Sequence, residues 1–459
     1  MVSFWIYDVT FLVLFSIFIV WFLVKTRRKL SREGIMFIYR TQAGVNLIKW
    51  FGKKFSGILH SIKYLIIGVG FVLMGMIIWM LGQTLSIYIL NPEITQVIKA
   101  PPIAPLIPYF PKLFGMSSFF PPFYFIYFIV ALAIVAIVHE FSHGIYMKLF
   151  NIKIKSTGIV FLGPILGAFV EQGEKSFKSK SKTEQMTVLG AGVFANLLFA
   201  LIFYGLYVAF FFSSFTASGY IFTSYGLTTI PLESITGFED AGNLTKVFAN
   251  NETYYIDEGL SVQRGMVNLT QMIVYPEAPA VLARMGGAIV QADNVRILNH
   301  ESLRKFLETK EPGDVVTFVT ETAEGRNEYE LTLAEHPEDS SKAYLGVGHN
   351  EPNPRGFIQK FLSSFMSFKE SSTYYKPSWD GEFVLFILHF LWWIMIINLL
   401  VALFNMLPLG ILDGGRFFYL TIWGIFGNED FAKKAYKFIG WAIFLVFLLM
   451  MLYWGIGIF

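Results

Sequence analysis

His139, Glu140 and His143 have the residue types and the spacing for chemistry at a metal ion. On a helix, positions i and i+4 share a face, so the two imidazoles can bind one cation from the same side. Glu140 points to a neighbouring face, within reach of a water held by that cation. A carboxylate so placed can take a proton from the water and drive hydrolysis. The stretch lies in FYFIYFIVALAIVAIVHEFSHGIYM, residues 123–147, which holds no other charged residue. Ionisable groups at membrane depth are costly and usually functional. The bland alternative is a pair of core histidines satisfied by their neighbours. Two imidazoles also fall short of the three protein ligands that a catalytic zinc takes beside its open position.

A third ligand must come from elsewhere. Asp413 is the only acidic residue between Glu382 and Glu429. A lone carboxylate in an apolar stretch needs a cation partner. Pro408 and Gly410 are expected to break the helix before it, and Gly414 and Gly415 to let the backbone turn. That would present Asp413 toward His139 and His143.

The elements that position these residues are membrane helices. The chain is 54% hydrophobic and only 15% charged, against roughly 25% charged in soluble domains. A net charge of +3 gives no reason to expect nucleic acid, and the absence of cysteine excludes disulfides and thiolate chemistry. Residues 1–24 read as a retained span, too long and uniformly apolar for a signal peptide. A basic cytoplasmic or interfacial segment, 25–64, is expected to include a helix lying on the membrane surface. A second span covers 65–90 and an external, proline-rich loop 91–121. Residues 122–212 hold spans three and four, at about 122–148 and 187–212, with a hairpin over 158–174 dipping toward the membrane. Such a hairpin edge could pair with an extended substrate. Residues 213–258 and 351–382 are expected as external linkers around a compact α+β domain, 259–350. In that domain SLRKFLETK reads as an amphipathic helix with a serine cap. VVTFVTET and EYELTLAE read as a hairpin. Residues 383–459 hold the last two spans.

Charge orients the spans. Residues 25–64 carry ten Lys and Arg and residues 148–186 carry seven, while 91–120 carry only Lys99 and Lys112. The positive-inside rule puts the two basic segments in the cytoplasm and both termini outside. The metal motif then sits toward the cytoplasmic side, with Lys148 and Arg416 at a wet mouth. The inserted domain lies outside, as do the glycosylation-type sequences at Asn243, Asn251 and Asn268.

At this point a family resemblance becomes specific. His139-Glu-Phe-Ser-His143 within a span, followed by Asn405-x-x-Pro408-x-x-x-Leu412-Asp413-Gly-Gly, resembles the site-2 protease family of intramembrane zinc metalloproteases. Gly192-Val-Phe-Ala-Asn196 resembles that family's G-P-x-x-N motif, with Val193 where proline is usual. Gly167 to Glu171 resembles its membrane hairpin. The inserted domain is similar to a PDZ domain, with Ala292-Asp293 where Gly-Asp is usual. The absence of cysteine and the compact external region point to a prokaryotic, archaeal-type member. The resemblance implies one zinc per chain, held by His139, His143 and Asp413. It implies Glu140 as general base, and Asn405 and Asn196 as substrate or oxyanion contacts; helix–helix hydrogen bonding is the other role open to both. It also implies substrates that are transmembrane proteins already shortened by another protease, met in the lipid of a prokaryotic plasma membrane. The competing readings are a membrane zinc protease with a downstream glutamate ligand, a catalytically inactive PDZ scaffold, and a zinc transporter.

Overall fold

The computed structural model describes residues 4–90, 101–102, 106–117, 120–162, 165–242, 244–257, 270–322, 324–349, 360, 363–364 and 367–458. Among the described residues, six helices are long and apolar enough to cross a membrane. They match the expected six in order, with ends shifted by up to nine residues; the fourth begins at Lys182 and the last at Glu429. Asn243 and Asn268 lie outside the described residues. Asn251 sits in an exposed turn.

The chain divides into two compact units, residues Met1–Phe211 with Leu385–Phe459, and Phe212–Val384. In the first, helix α1 spans Phe4–Thr26, α2 Val45–Lys54, α3 Lys63–Leu90, α4 Phe125–Leu149 and α5 Lys182–Ser214. Helix α6 spans Gly381–Asn405, α7 Asp413–Phe426 and α8 Glu429–Ile458. Helix α4 carries the metal motif. Its first backbone N–H groups have no intrahelical partner, as at any helix start. Asp8 of α1 supplies one, accepting from Phe125 N at 2.8 Å, Ile126 N at 3.0 Å and the Tyr109 hydroxyl at 2.7 Å.

The basic segment is more than an interfacial helix. Strands β1, Leu30–Glu33, and β2, Met36–Thr41, precede α2. They extend the expected hairpin, β3 at Ile154–Leu162 and β4 at Ile165–Gln172, into an antiparallel sheet of order β1-β2-β3-β4. Strand β2 pairs β3 across more than a hundred residues of sequence, which no local window reveals. Helix α2 is amphipathic, burying Val45, Ile48 and Gly52. A Cβ on Gly144 of α4 would stand 2.8 Å from Ile48 Cδ1, so the glycine lets the two helices approach closely.

A core cluster binds the helices around the site. It joins Ile66 and Leu73 of α3, Tyr146 and Met147 of α4, Val188 and Val193 of α5, Leu403 of α6, and Phe417 of α7.

In the second unit the expected boundaries need correction. Residues 213–258 are not a linker. Phe215–Ile221 is a central strand, paired with Ala288–Ala292 on one side and with Thr373–Pro377, from the other expected linker, on the other. A separate five-stranded sheet is built from segments between Thr228 and Pro276. The expected hairpin is present, Val315–Glu321 against Arg326–Thr332. The helix is His300–Leu307, and its cap is Asn299 rather than serine; Ser302 completes a reciprocal capping box.

Candidate metal centre

Helices α4 and α7 bring the three ligand-type residues together. His139 Nε2 and His143 Nε2 stand 3.0 Å apart. Asp413 Oδ2 is 3.1 Å from the first and 3.2 Å from the second. Atoms bound about 2.0–2.1 Å from a tetrahedral zinc lie roughly 3.3–3.4 Å from one another. The observed triangle is therefore close to the size such an ion needs. Two imidazoles and one carboxylate also match the three-ligand donor set of catalytic zinc. The group can hold a metal ion.

The chain after α6 explains how Asp413 arrives there. The helix stops at Asn405, and the Leu409 N–H turns back to Leu407 O at 2.7 Å. A new helix starts at Asp413, with Leu412 as its cap residue. The carboxylate thus sits in a first helical turn, where the backbone dipoles favour negative charge. The two glycines serve close approach rather than turn freedom. A Cβ on Gly414 would overlap the backbone of Met406 and Leu407, and one on Gly415 would overlap Leu409.

Glu140 is half-buried, and its Oε2 accepts the backbone N–H of Val170 at 2.8 Å. Sequence reasoning missed this partner because it is a main-chain group on β4. Strand β4 is the edge of its sheet. Since neighbours in a strand alternate, Ala168 and Leu166 turn their N–H groups to the same edge as Val170. The next residue, Glu171, anchors the hairpin. It accepts from Lys155 Nζ at 3.0 Å, Ser156 Oγ at 2.8 Å and Arg40 Nε at 3.4 Å. The Lys155 ammonium, then the Ser156 hydroxyl, hold its carboxyl below the usual carboxylate range.

Helix α5 touches both imidazoles. Asn196 is fully buried, and its amide lies 3.1 Å from His139 Nδ1. His143 Nδ1 donates to the Val188 carbonyl at 2.6 Å. Asn405 ends α6, half-buried, and forms no side-chain hydrogen bond with a described residue. Arg416 lies over the Phe177 ring at 4.1 Å, with Nη2 3.7 Å from Glu174.

Fold and site together define an integral membrane protein whose helices bring two histidines and an aspartate to one metal-binding point. The chain belongs to Peptidase family M50, the site-2 protease family of zinc metalloproteases, whose model matches residues 127–451. It is also similar to an uncharacterised protein of Methanocaldococcus jannaschii, 49% identical over 74 residues, 16% of this chain and 20% of that one. The match thus spans a fifth of that relative's length.

Proposed function

We propose that the protein is an intramembrane zinc metalloendopeptidase. It hydrolyses peptide bonds within or near transmembrane segments of membrane proteins, as a step of regulated intramembrane proteolysis. The observation that carries this reading is the triangle of His139, His143 and Asp413 ligand atoms beside Glu140. One zinc per chain, held by those three residues, would supply a Lewis acid that brings water's pKa toward about 7. Glu140 takes the proton from the attacking water and hands it to the leaving amine. A general base of this kind contributes roughly 10²–10⁴ in rate. The hydrogen bond from Val170 fixes one oxygen of Glu140 and leaves the other for the proton.

A helical substrate hides its carbonyls, so it must unwind before cutting. The outward edge of β4 offers backbone groups to such an extended segment. Asn405 is the side chain suited to donate to the substrate carbonyl as charge develops there; Asn196 is fully buried with its amide against His139 Nδ1, on the side of the ring away from the metal-binding Nε2.

The basic segments support a site toward the cytoplasm, with the termini and the second unit outside. That unit serves as a PDZ-like filter for substrates already shortened by another protease. It has a cavity of about 430 Å³ in which Tyr220, Leu303, Leu307, Tyr344 and Val347 meet charged Arg304, Glu308, Lys310 and Lys342, a mixed lining of a size that suits a peptide end.

The test is cleavage of a panel of single-span proteins in membranes by wild type and Glu140→Gln. Wild type should cut members with helix-breaking residues, and Glu140→Gln none. Equal cutting by both would rule the mechanism out.

A further inference from the structure

Helix α5 meets the two imidazoles along one stripe. Val188, Gly192 and Asn196 are spaced four apart and so share a face. Each makes a different contact. The Val188 carbonyl can only accept, so His143 Nδ1, 2.6 Å away, carries its proton and Nε2 keeps its lone pair toward Asp413. One turn on, Gly192 lies against both rings. A Cβ there would stand 2.6 Å from His143 Nε2 and 2.7 Å from His139 Cε1. A further turn on, the Asn196 amide faces His139 Nδ1 at 3.1 Å.

For His139 to offer Nε2 to a cation, its Nδ1 must hold the proton. The amide must then present oxygen to it. Amide oxygen and nitrogen have the same shape, and only hydrogen bonding distinguishes them. With Nδ2 toward the ring, Oδ1 is buried without a partner. Turning the amide gives that oxygen the Nδ1–H and puts Nδ2 in the unpartnered place, so it is the proton that metal binding requires on Nδ1 that sets the orientation.

We infer that Val188, Gly192 and Asn196 form a cradle that holds both imidazoles as Nδ1–H tautomers, with Asn196 Oδ1 the positioning group of His139. The inference rests on the metal-site reading above. Partners of this kind typically change metal affinity roughly 10- to 100-fold when removed.

The test is cobalt(II) binding to the purified full chain, followed by visible absorption and by competition with a chelator. Wild type should bind one cobalt, and Asp413→Ala should lose it. Asn196→Leu, of similar size but with no acceptor, should bind roughly 10- to 100-fold more weakly. Asn196→Asp keeps an acceptor of the same shape and should bind close to wild type, with the same absorption. Asn196→Leu binding as tightly as wild type would overturn the cradle while leaving the metal site intact. So would weaker binding by Asn196→Asp than by Asn196→Leu, the order expected if position 196 only joins helices and rejects buried charge. Equal binding by wild type and Asp413→Ala would overturn the metal site, and the cradle with it.

Discussion

Glu140 is tied to Val170: its Oε2 accepts that residue's backbone N–H at 2.8 Å, joining the metal helix to the edge of the hairpin sheet. Val170→Pro removes this donor without breaking the ladder, because the N–H faces away from β3. A hydrogen bond to a charged group contributes about 1.5–3 kcal/mol, so kcat should fall at least about tenfold. Ala168→Pro removes an N–H on the same edge that does not reach Glu140, and should raise KM instead. Steady-state kinetics on one substrate separates the two; identical effects would remove the special role of Val170.

Gly192 leaves no room for a side chain against the imidazoles. Gly192→Ala should lower zinc affinity at least about tenfold. Gly205, on the same helix, has nothing within 4 Å of a built Cβ, and Gly205→Ala should bind zinc normally. Zinc titration against a fluorescent chelator checks both, and normal binding by Gly192→Ala would contradict the packing described.

Asp8 anchors α1 to the start of the metal helix. Asp8→Ala leaves the Tyr109 hydroxyl and two backbone N–H groups without their acceptor. Each buried donor so orphaned costs about 1–3 kcal/mol. Thermal unfolding in detergent should show a clear loss, with Asp8→Asn intermediate because it keeps one oxygen. An unchanged transition in Asp8→Ala would mean the contact does not matter for stability.

In the second unit, Lys310 donates to Asp293 at 2.8 Å and the Thr317 N–H at 3.0 Å. The Lys310 bond, then the Thr317 N–H, holds the Asp293 carboxyl below its ordinary value. A lowered folded pKa means the contribution is complete above the unfolded value of about 3.9 and fades as pH falls through the folded value. Hydrogen exchange at Thr317 should therefore be faster in Asp293→Asn than in wild type at pH 7. The ratio should shrink toward one at a pH below the lowered folded value. A ratio that is the same at both pH values would assign the effect to shape rather than charge.

The metal group was legible because its signals are local and chemical. His139 and His143 share a helix face, and Asp413 is the lone acid in its stretch. Asn196 was legible as part of a motif, but not as a neighbour of His139 Nδ1, since that contact joins two helices. The Val170 N–H and the Val188 carbonyl carry no side-chain signal at all. Asp8 does carry one, a lone carboxylate in an apolar span, but the sequence does not show that Tyr109 and the start of α4 are its donors. The strands within 213–258 were missed for another reason: Phe215–Ile221 finds its partners some seventy and more than a hundred and fifty residues further on. Pairing, not local pattern, makes it a strand.

Zinc at His139, His143 and Asp413 and a proton-accepting Glu140 beside it are separable by measuring zinc content and substrate cleavage on the same purified samples. Wild type should hold one zinc per chain and cut a single-span substrate in liposomes. Glu140→Gln should hold the same zinc and cut nothing, and Asp413→Ala should lose both. Zinc retained at full occupancy in Asp413→Ala, or cleavage by Glu140→Gln at the wild-type rate, would contradict the account.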